Sequence, residues 1–217
     1  MTKVILAGAT GLVGGEVAKL LAGSAHELHI IGRRAAENSP KGVTQHIAPT
    51  SDWPDLIVQI GAEVAISCLG TTMKIAGSKE AFASVDLDLV LSFARAAKKG
   101  GARQIMAVSS TMAEPDSSNF YLKTKGQAEQ GIVDLGFERP DFLRSGLLRG
   151  ERAGVFRAGE AIGMLVSPVT DMLLMGAFRK YRSIAARDVA RAMANLVGAE
   201  PKGHFIHEND AILSLAG

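Results

Sequence analysis

Gly8-Ala-Thr10-Gly11-Leu12-Val13-Gly14 is the stretch on which the fold of this chain turns. It follows a short apolar run, Lys3-Val-Ile-Leu-Ala7, that reads as a buried strand. From Leu12 to Leu21 apolar residues recur at helical spacing, with Val13, Val17, Leu20 and Leu21 on one side. A glycine turn between a strand and a helix lets backbone, rather than side chains, meet a pyrophosphate. Gly8 permits the tight turn, Gly11 lets main chain approach the phosphates, and Gly14 lets the helix pack on the sheet. The helix N-terminus then offers N–H groups to the anion. Thr10, Gly11, Leu12 and Val13 are therefore expected against a dinucleotide. Of the 24 glycines in the chain, these three carry the information, and Gly32 and Gly70, at later strand ends, are expected to serve the same cleft.

Outward from this motif the pattern alternates. A second strand is expected at Glu27 to Ile31, a third at Val43 to Ile47, a short helix at Asp52 to Ile60, and a fourth strand at Glu63 to Cys68. From Ser78 to Lys99 the pattern is helical, with Phe82, Val85, Leu89, Phe93 and Ala96 sharing a face before Gly100-Gly101 stops it. Arg103 to Ser109 reads as a fifth strand, Asn119 to Leu135 as a helix capped by Ser117-Ser118-Asn119, and Phe142 to Leu148 as a sixth strand. Beyond about Gly150 the expectation is helix, loop, a helix from Ala186 to Val197, a short strand from His204 to His207, and a polar-capped tail. Strands alternating with helices imply an α/β, doubly wound parallel sheet covered on both faces. The chain is expected to form one domain over 1–217, with a core of about 1–149 and a small substrate-side elaboration over about 150–217.

Composition narrows the function classes. The chain has 217 residues, 47% apolar and 21% charged, enough for a sizeable core. Lys+Arg 24 against Asp+Glu 22 leaves a formal charge of +2, too small for a dedicated nucleic-acid surface. The single cysteine, Cys68, excludes an intrachain disulfide and fits a reducing compartment. No apolar leader precedes the glycine motif, and the most apolar stretch, Ala161 to Phe178, is interrupted by Ser167, Pro168, Thr170 and Asp171. The expectation is a soluble, cytoplasmic protein without nucleic-acid or membrane partners. A small molecule is its expected substrate, and homo-oligomerisation is left open.

Two further clusters carry chemistry. The second strand runs into Gly32-Arg33-Arg34, where a cofactor with a free ribose 2′-hydroxyl would call for an acidic residue. Paired guanidiniums offer forked donors to phosphate instead, so NADP(H) is preferred over NAD(H). Tyr121 and Lys125 stand four apart at the start of a helix and share its face. A close ammonium favours the phenolate, so the pair can pass a proton to or from a carbonyl or alcohol oxygen, and the lysine can reach the cofactor ribose. At the end of the fifth strand, Ser109 is expected beside the cofactor and Ser110 at the substrate oxygen, with Thr111 the alternative hydroxyl.

Together these residues resemble the short-chain dehydrogenase/reductase superfamily. More narrowly, the chain is similar to its atypical, Tat-interacting oxidoreductase-like branch. The matching segments are Gly8 to Gly14, Cys68-Leu-Gly-Thr-Thr72, Val85 to Leu91, Ser117 to Leu122 with Lys125-Gly126, and Phe142 to Leu148. The resemblance implies a Rossmann fold binding NADPH. Cys68, Leu69, Gly70 and Thr71 would lie along the adenosine and ribose side, and Gly146, Leu147 and Leu148 near the nicotinamide. The chain departs from the family pattern in carrying Arg144-Ser145 where Arg-Pro is usual. The asparagine of the wider superfamily's proton relay also has no counterpart, although Asp86 lies on the corresponding helix.

The expected activity is an NADPH-dependent hydride transfer to or from a small carbonyl or alcohol, with Tyr121, Lys125 and Ser110 catalytic. The alternatives are an NADP(H)-binding regulatory or redox-sensing protein without turnover, and an epimerase or dehydratase holding its cofactor tightly. No metal is expected: in a strand, His204 and His207 fall on opposite faces and lack a third ligand. Cys68 reads as a small packing residue rather than a nucleophile. Met164, Met172 and Met175 suit either an apolar pocket or plain core.

Overall fold

The computed structural model describes residues 1–36, 39–150, 176–200 and 202–217. The first strand, β1 (Lys3–Ala7), passes through the glycine turn into α1 (Leu12–Ala22). There follow β2 (Glu27–Gly32), β3 (Thr44–Ile47), α2 (Trp53–Ile60) and β4 (Val64–Ser67). Two short helices, α3 (Met73–Ala76) and α4 (Lys79–Ala83), lead through a π-helical turn, Ser84–Leu89, into α5 (Val90–Lys99). Next come β5 (Gln104–Ser110), α6 (Phe120–Asp134), β6 (Arg139–Ser145) and β7 (Leu148–Arg149). After a 3-10 turn at Gly176–Tyr181 the chain forms β8 (Ile184–Ala185), α7 (Ala186–Asn195), β9 (Phe205–His207) and α8 (Asn209–Ala216).

Seven strands form one sheet in the order β3-β2-β1-β4-β5-β6-β9, and every pairing is parallel. The chain winds outward from β1 in both directions, so the order reverses between β1 and β4. A parallel sheet needs both faces covered, and β1 shows why its residues suit that place. Val4 and Leu6 point into a core shared with α1 and α7. Ile5 and Ala7 point into a second core shared with α2, α5 and α6. All four are fully buried. The largest enclosed side chains, Phe82, Phe93 and Phe142 among them, each contribute about 1.5–3 kcal/mol by leaving water.

The alternating strands and helices expected from periodicity are present, with four differences. The sixth strand covers Arg139–Ser145 rather than Phe142 to Leu148. Its first turn of sequence, Arg139-Pro140-Asp141, looks like a turn, yet Arg139 and Asp141 are buried and satisfy each other by paired hydrogen bonds of 2.9 and 3.1 Å. At the other end Gly146 leaves the sheet, and Leu148 and Arg149 pair with Ile184 and Ala185 in a separate two-stranded ribbon. The long helix expected from Ser78 contains the π-helical turn, and α3 precedes it. The polar-capped tail is the helix α8, and β9 extends the main sheet beside β6.

α7 places Val189, Ala190 and Met193 in the core against α1, so the described C-terminal residues complete one face of the sheet. The methionine-rich stretch with Met164, Met172 and Met175 lies outside the described residues. No helix among the described residues is long and apolar enough to cross a membrane.

Candidate functional site

A cleft of about 560 Å³ opens at the carboxyl ends of β1, β4, β5 and β6, where the strand order reverses. Ligands of open α/β sheets bind at such a reversal, and the volume lies in the range of about 300–1,000 Å³ usual for ligand sites. Its walls come from the glycine turn (Gly11, Leu12, Val13), the segment after β4 (Cys68 to Thr72), and the ends of β5 (Val108, Ser109) and β6 (Ser145 to Gly150). Tyr121 and Lys125 of α6 complete it.

The glycine turn is shaped by close approach. Gly8 has φ +91°, a left-handed conformation open to glycine, and a Cβ there would overlap the Cys68 carbonyl. A Cβ on Gly14 would overlap the Gly8 carbonyl, so Gly14 lets the first turn of α1 close on the loop itself. Gly11 is the N-cap residue; its N–H bonds Gly8 O at 2.9 Å. No side chain caps the helix, and its first turn holds no acidic residue. The helix therefore presents its positive end uncompensated beside the cleft, as an anion site requires.

Tyr121 is placed by the cap of α6. Asn119 Oδ1 accepts the Leu122 N–H at 3.2 Å, and Ser117 Oγ accepts the Asn119 N–H at 3.2 Å. The Tyr121 ring packs against Phe82, with centroids 5.5 Å apart. Lys125, one turn further, is buried, and its Nζ lies 2.7 Å from Asp86 Oδ1 on the π-helical turn.

Behind the cleft lie two networks of buried charge. Arg144 grips Glu129 with contacts of 2.6 to 3.2 Å, and Ser109 Oγ donates to the same carboxylate. Burial disfavours the Arg144 charge, but the hydrogen bonds and charge of Glu129 outweigh it and hold the guanidinium above its usual range. Further along β6, Asp141 is fully buried. Burial alone would raise its carboxyl, yet hydrogen bonds from His207, Arg139 and Gln104, with the charge of Arg139, hold it below the ordinary value. Cys68 turns its thiol toward Met193, Sγ to Sδ 3.9 Å, and burial pushes it up to about 12. It is thus protonated at neutral pH and a poor nucleophile.

The expected site residues divide accordingly. Gly11, Leu12, Val13, Cys68, Leu69, Gly70, Thr71, Ser109, Tyr121, Lys125, Gly146, Leu147 and Leu148 line one cleft. Gly8 and Gly14 shape it from behind. Thr10, Arg33 and Arg34 are exposed and lie outside its lining, and no ion pair joins either arginine to another described residue. Ser110 lies outside the lining, its hydroxyl 3.3 Å from the Thr111 carbonyl. The Thr111 hydroxyl contacts the carbonyls of Arg144 at 3.3 Å and Lys180 at 3.1 Å. Thr72 and Ser145, which lie within the segments quoted for the family resemblance, join the lining, as do Val108, Arg149 and Gly150, which carry no signal of their own in the sequence. Among the described residues no group of His, Cys, Asp and Glu could hold a metal ion.

Comparison with known proteins points the same way. The profile of the NAD dependent epimerase/dehydratase family matches residues 4–129, more than half of the chain. Protein FMP52, mitochondrial, of Coccidioides immitis is 33% identical over an alignment covering 94% of this chain and 90% of that protein. The Meyerozyma guilliermondii protein of the same name is 40% identical, with 69% of this chain and 66% of that protein covered.

Two solved structures share the fold at 14% identity. The Bordetella bronchiseptica enzyme WbmH in complex with NAD+ has a TM-score of 0.71, covering 96% of this chain and 75% of that one. A Thermotoga maritima UDP-glucose 4-epimerase with UDP-glucose has a TM-score of 0.72, covering 95% and 77%. The relatives' names overturn the cytoplasmic location expected from the sequence. A lone cysteine reports on thiol chemistry, not on which interior compartment holds the protein.

Proposed function

Because the chain belongs to the NAD dependent epimerase/dehydratase family, we propose that its cleft binds NADP(H) and that it is an oxidoreductase acting on a small carbonyl or alcohol. The observation that carries this reading is the meeting of the N-terminus of α1 with Tyr121 and Lys125 in one cleft. The residues fit a dinucleotide: the turn at Gly8 has no room for a side chain, and the helix end beside it has no anion of its own. When bound, the nicotinamide donates or accepts the hydride.

The protein does the rest. α1 would hold the pyrophosphate, Arg33 and Arg34 would serve a ribose 2′-phosphate, and Lys125 would steady the nicotinamide-side ribose. Tyr121 passes the proton to or from the substrate oxygen. Ser109 is held by Glu129, whereas the Ser110 hydroxyl makes among the described residues a single 3.3 Å contact, to Thr111 O, and we assign it to the substrate oxygen although it lies outside the cleft lining. Val108 and Leu148, half-buried in the cleft wall, offer it an apolar surface.

The test is NADPH oxidation over a panel of aldehydes, ketones and quinones, wild type against Tyr121→Phe. Losing the acid/base should lower the rate by about 10²–10⁴-fold while NADPH affinity is kept. An unchanged rate would sink the mechanism. The family's description favours one second reading, an epimerase or dehydratase. It requires cofactor that survives purification and no net consumption during turnover.

A further inference from the structure

The described residues that line the cleft include two cations, Lys125 and Arg149, and no aspartate or glutamate. The two cations differ in their partners. Lys125 Nζ lies 2.7 Å from Asp86 Oδ1, so its charge is balanced from behind the wall. Arg149 makes no ion pair with any described residue. Its Nε is buried and has no hydrogen-bond partner among the described residues. Arg144, at the end of β6, shows the contrast, since Glu129 grips it. Buried donors without an acceptor are rare in folded chains, and one in the wall of a ligand cleft marks where a ligand supplies the acceptor. The backbone there is fixed on both sides. Arg149 pairs with Ala185 in the β7–β8 ribbon, and a Cβ on the adjacent Gly150 would come within 2.9 Å of the Leu12 side chain at the start of α1.

We propose that Arg149 is the substrate's anion anchor, a subsite that takes a carboxylate, so that the small carbonyl or alcohol turned over in this cleft is an oxo acid or a hydroxy acid. The proposal rests on the function proposed above, in which α1 serves the pyrophosphate and Arg33 and Arg34 the 2′-phosphate, leaving no phosphate of the dinucleotide for Arg149. One monoanion balances one guanidinium, and the planar fork of arginine matches the two oxygens of a carboxylate. A neutral ketone or aldehyde would leave the buried donor unused, and that penalty is what discriminates against it.

The probes are glyoxylate, pyruvate and levulinate, each against its methyl ester, titrated calorimetrically into the protein with and without saturating NADP+. Wild type should bind at least one of the acids more tightly than its ester. Arg149→Leu should lose roughly tenfold to a hundredfold of that affinity. Arg149→Lys, which keeps the charge without the fork, should fall between. NADPH affinity should be the same in all three proteins, and unfolding temperatures recorded for each separate a lost contact from a lost fold. Acids that bind no better than their esters, or Arg149→Leu binding them as wild type does, would overturn the proposal. A loss of NADPH affinity in Arg149→Leu as large as the loss for the acid would overturn it too, because the arginine would then serve a phosphate of the dinucleotide. Binding is read here without turnover. NADPH that does not bind, or is not oxidised, counts against the proposed function, whereas acid binding that depends on Arg149 in the cofactor-free protein is read independently of it.

Discussion

Tyr121 and Lys125 share a helical face by spacing alone, and the structure puts both in the wall of one cleft. What spacing does not reveal is the partner. Asp86 meets Lys125 only through the fold, and no local pattern marks an aspartate destined for burial. The serines show the same limit: Ser109, Ser110 and Thr111 are adjacent, yet each hydroxyl turns to a different acceptor. Arg33 and Arg34 are the opposite case, because their meaning is local. They end the strand beside β1 and are exposed without an ion-pair partner among the described residues. Charge-assisted hydrogen bonds are worth roughly 1.5–3 kcal/mol. Arg33→Ala/Arg34→Ala should therefore weaken NADPH by roughly tenfold to a hundredfold and leave NADH little changed. Paired binding titrations check this, and equal losses would show that the arginines do not read the 2′-phosphate.

Among the elements, periodicity revealed the strands and helices whose cores are apolar, and it failed where polar groups are buried. β6 begins at Arg139 because the fold supplies partners for Asp141 from Gln104, Arg139 and His207. A sequence window sees only a charged, proline-containing turn. This network also fastens β9, since His207 Nε2 lies 2.9 Å from Asp141 Oδ1. Its contribution depends on pH with a definite sign. The folded value of Asp141 is held below its ordinary one, so the stabilisation is complete above the ordinary carboxylate range and is lost as pH falls through the depressed folded value. Asp141→Asn removes the buried carboxylate that Arg139, Gln104 and His207 share and should cost about 3–5 kcal/mol near neutrality. That gap from wild type should narrow as the solution is acidified. Urea unfolding across a pH series measures it, and a gap that stays constant into acid would show that the carboxylate is not the source.

For the whole molecule, the alternation of strands and helices implies a parallel sheet, and covering both faces of an open sheet with right-handed crossovers requires the winding to reverse once, here beside β1. The place of the cleft was therefore legible, because Gly8 to Gly14 and Cys68 to Thr72 flank that reversal. The closing of the sheet was not. The strand at His204 to His207 and the helix from Ala186 were expected, but not their places: β9 pairs with β6, and α7 joins the core beside α1 through contacts made only in three dimensions. The central claim, that this reversal is a nicotinamide-dinucleotide site organised on α1, can be tested at Gly11. Gly11 has φ −85° and ψ 172°, a backbone open to any residue, and a Cβ there would lie 3.2 Å from Gly8 O, so that this carbonyl must give by a few tenths of an ångström. Aspartate is a favoured N-cap, so Gly11→Asp should fold while its carboxylate takes the N–H groups and repels phosphate. The deciding measurement is a calorimetric titration of NADPH into both proteins, with thermal unfolding recorded alongside. Wild type should bind one NADPH per chain, and Gly11→Asp should bind on the order of a hundredfold more weakly at a similar unfolding temperature. Absence of binding to wild type, or equal affinity in Gly11→Asp, would contradict the claim.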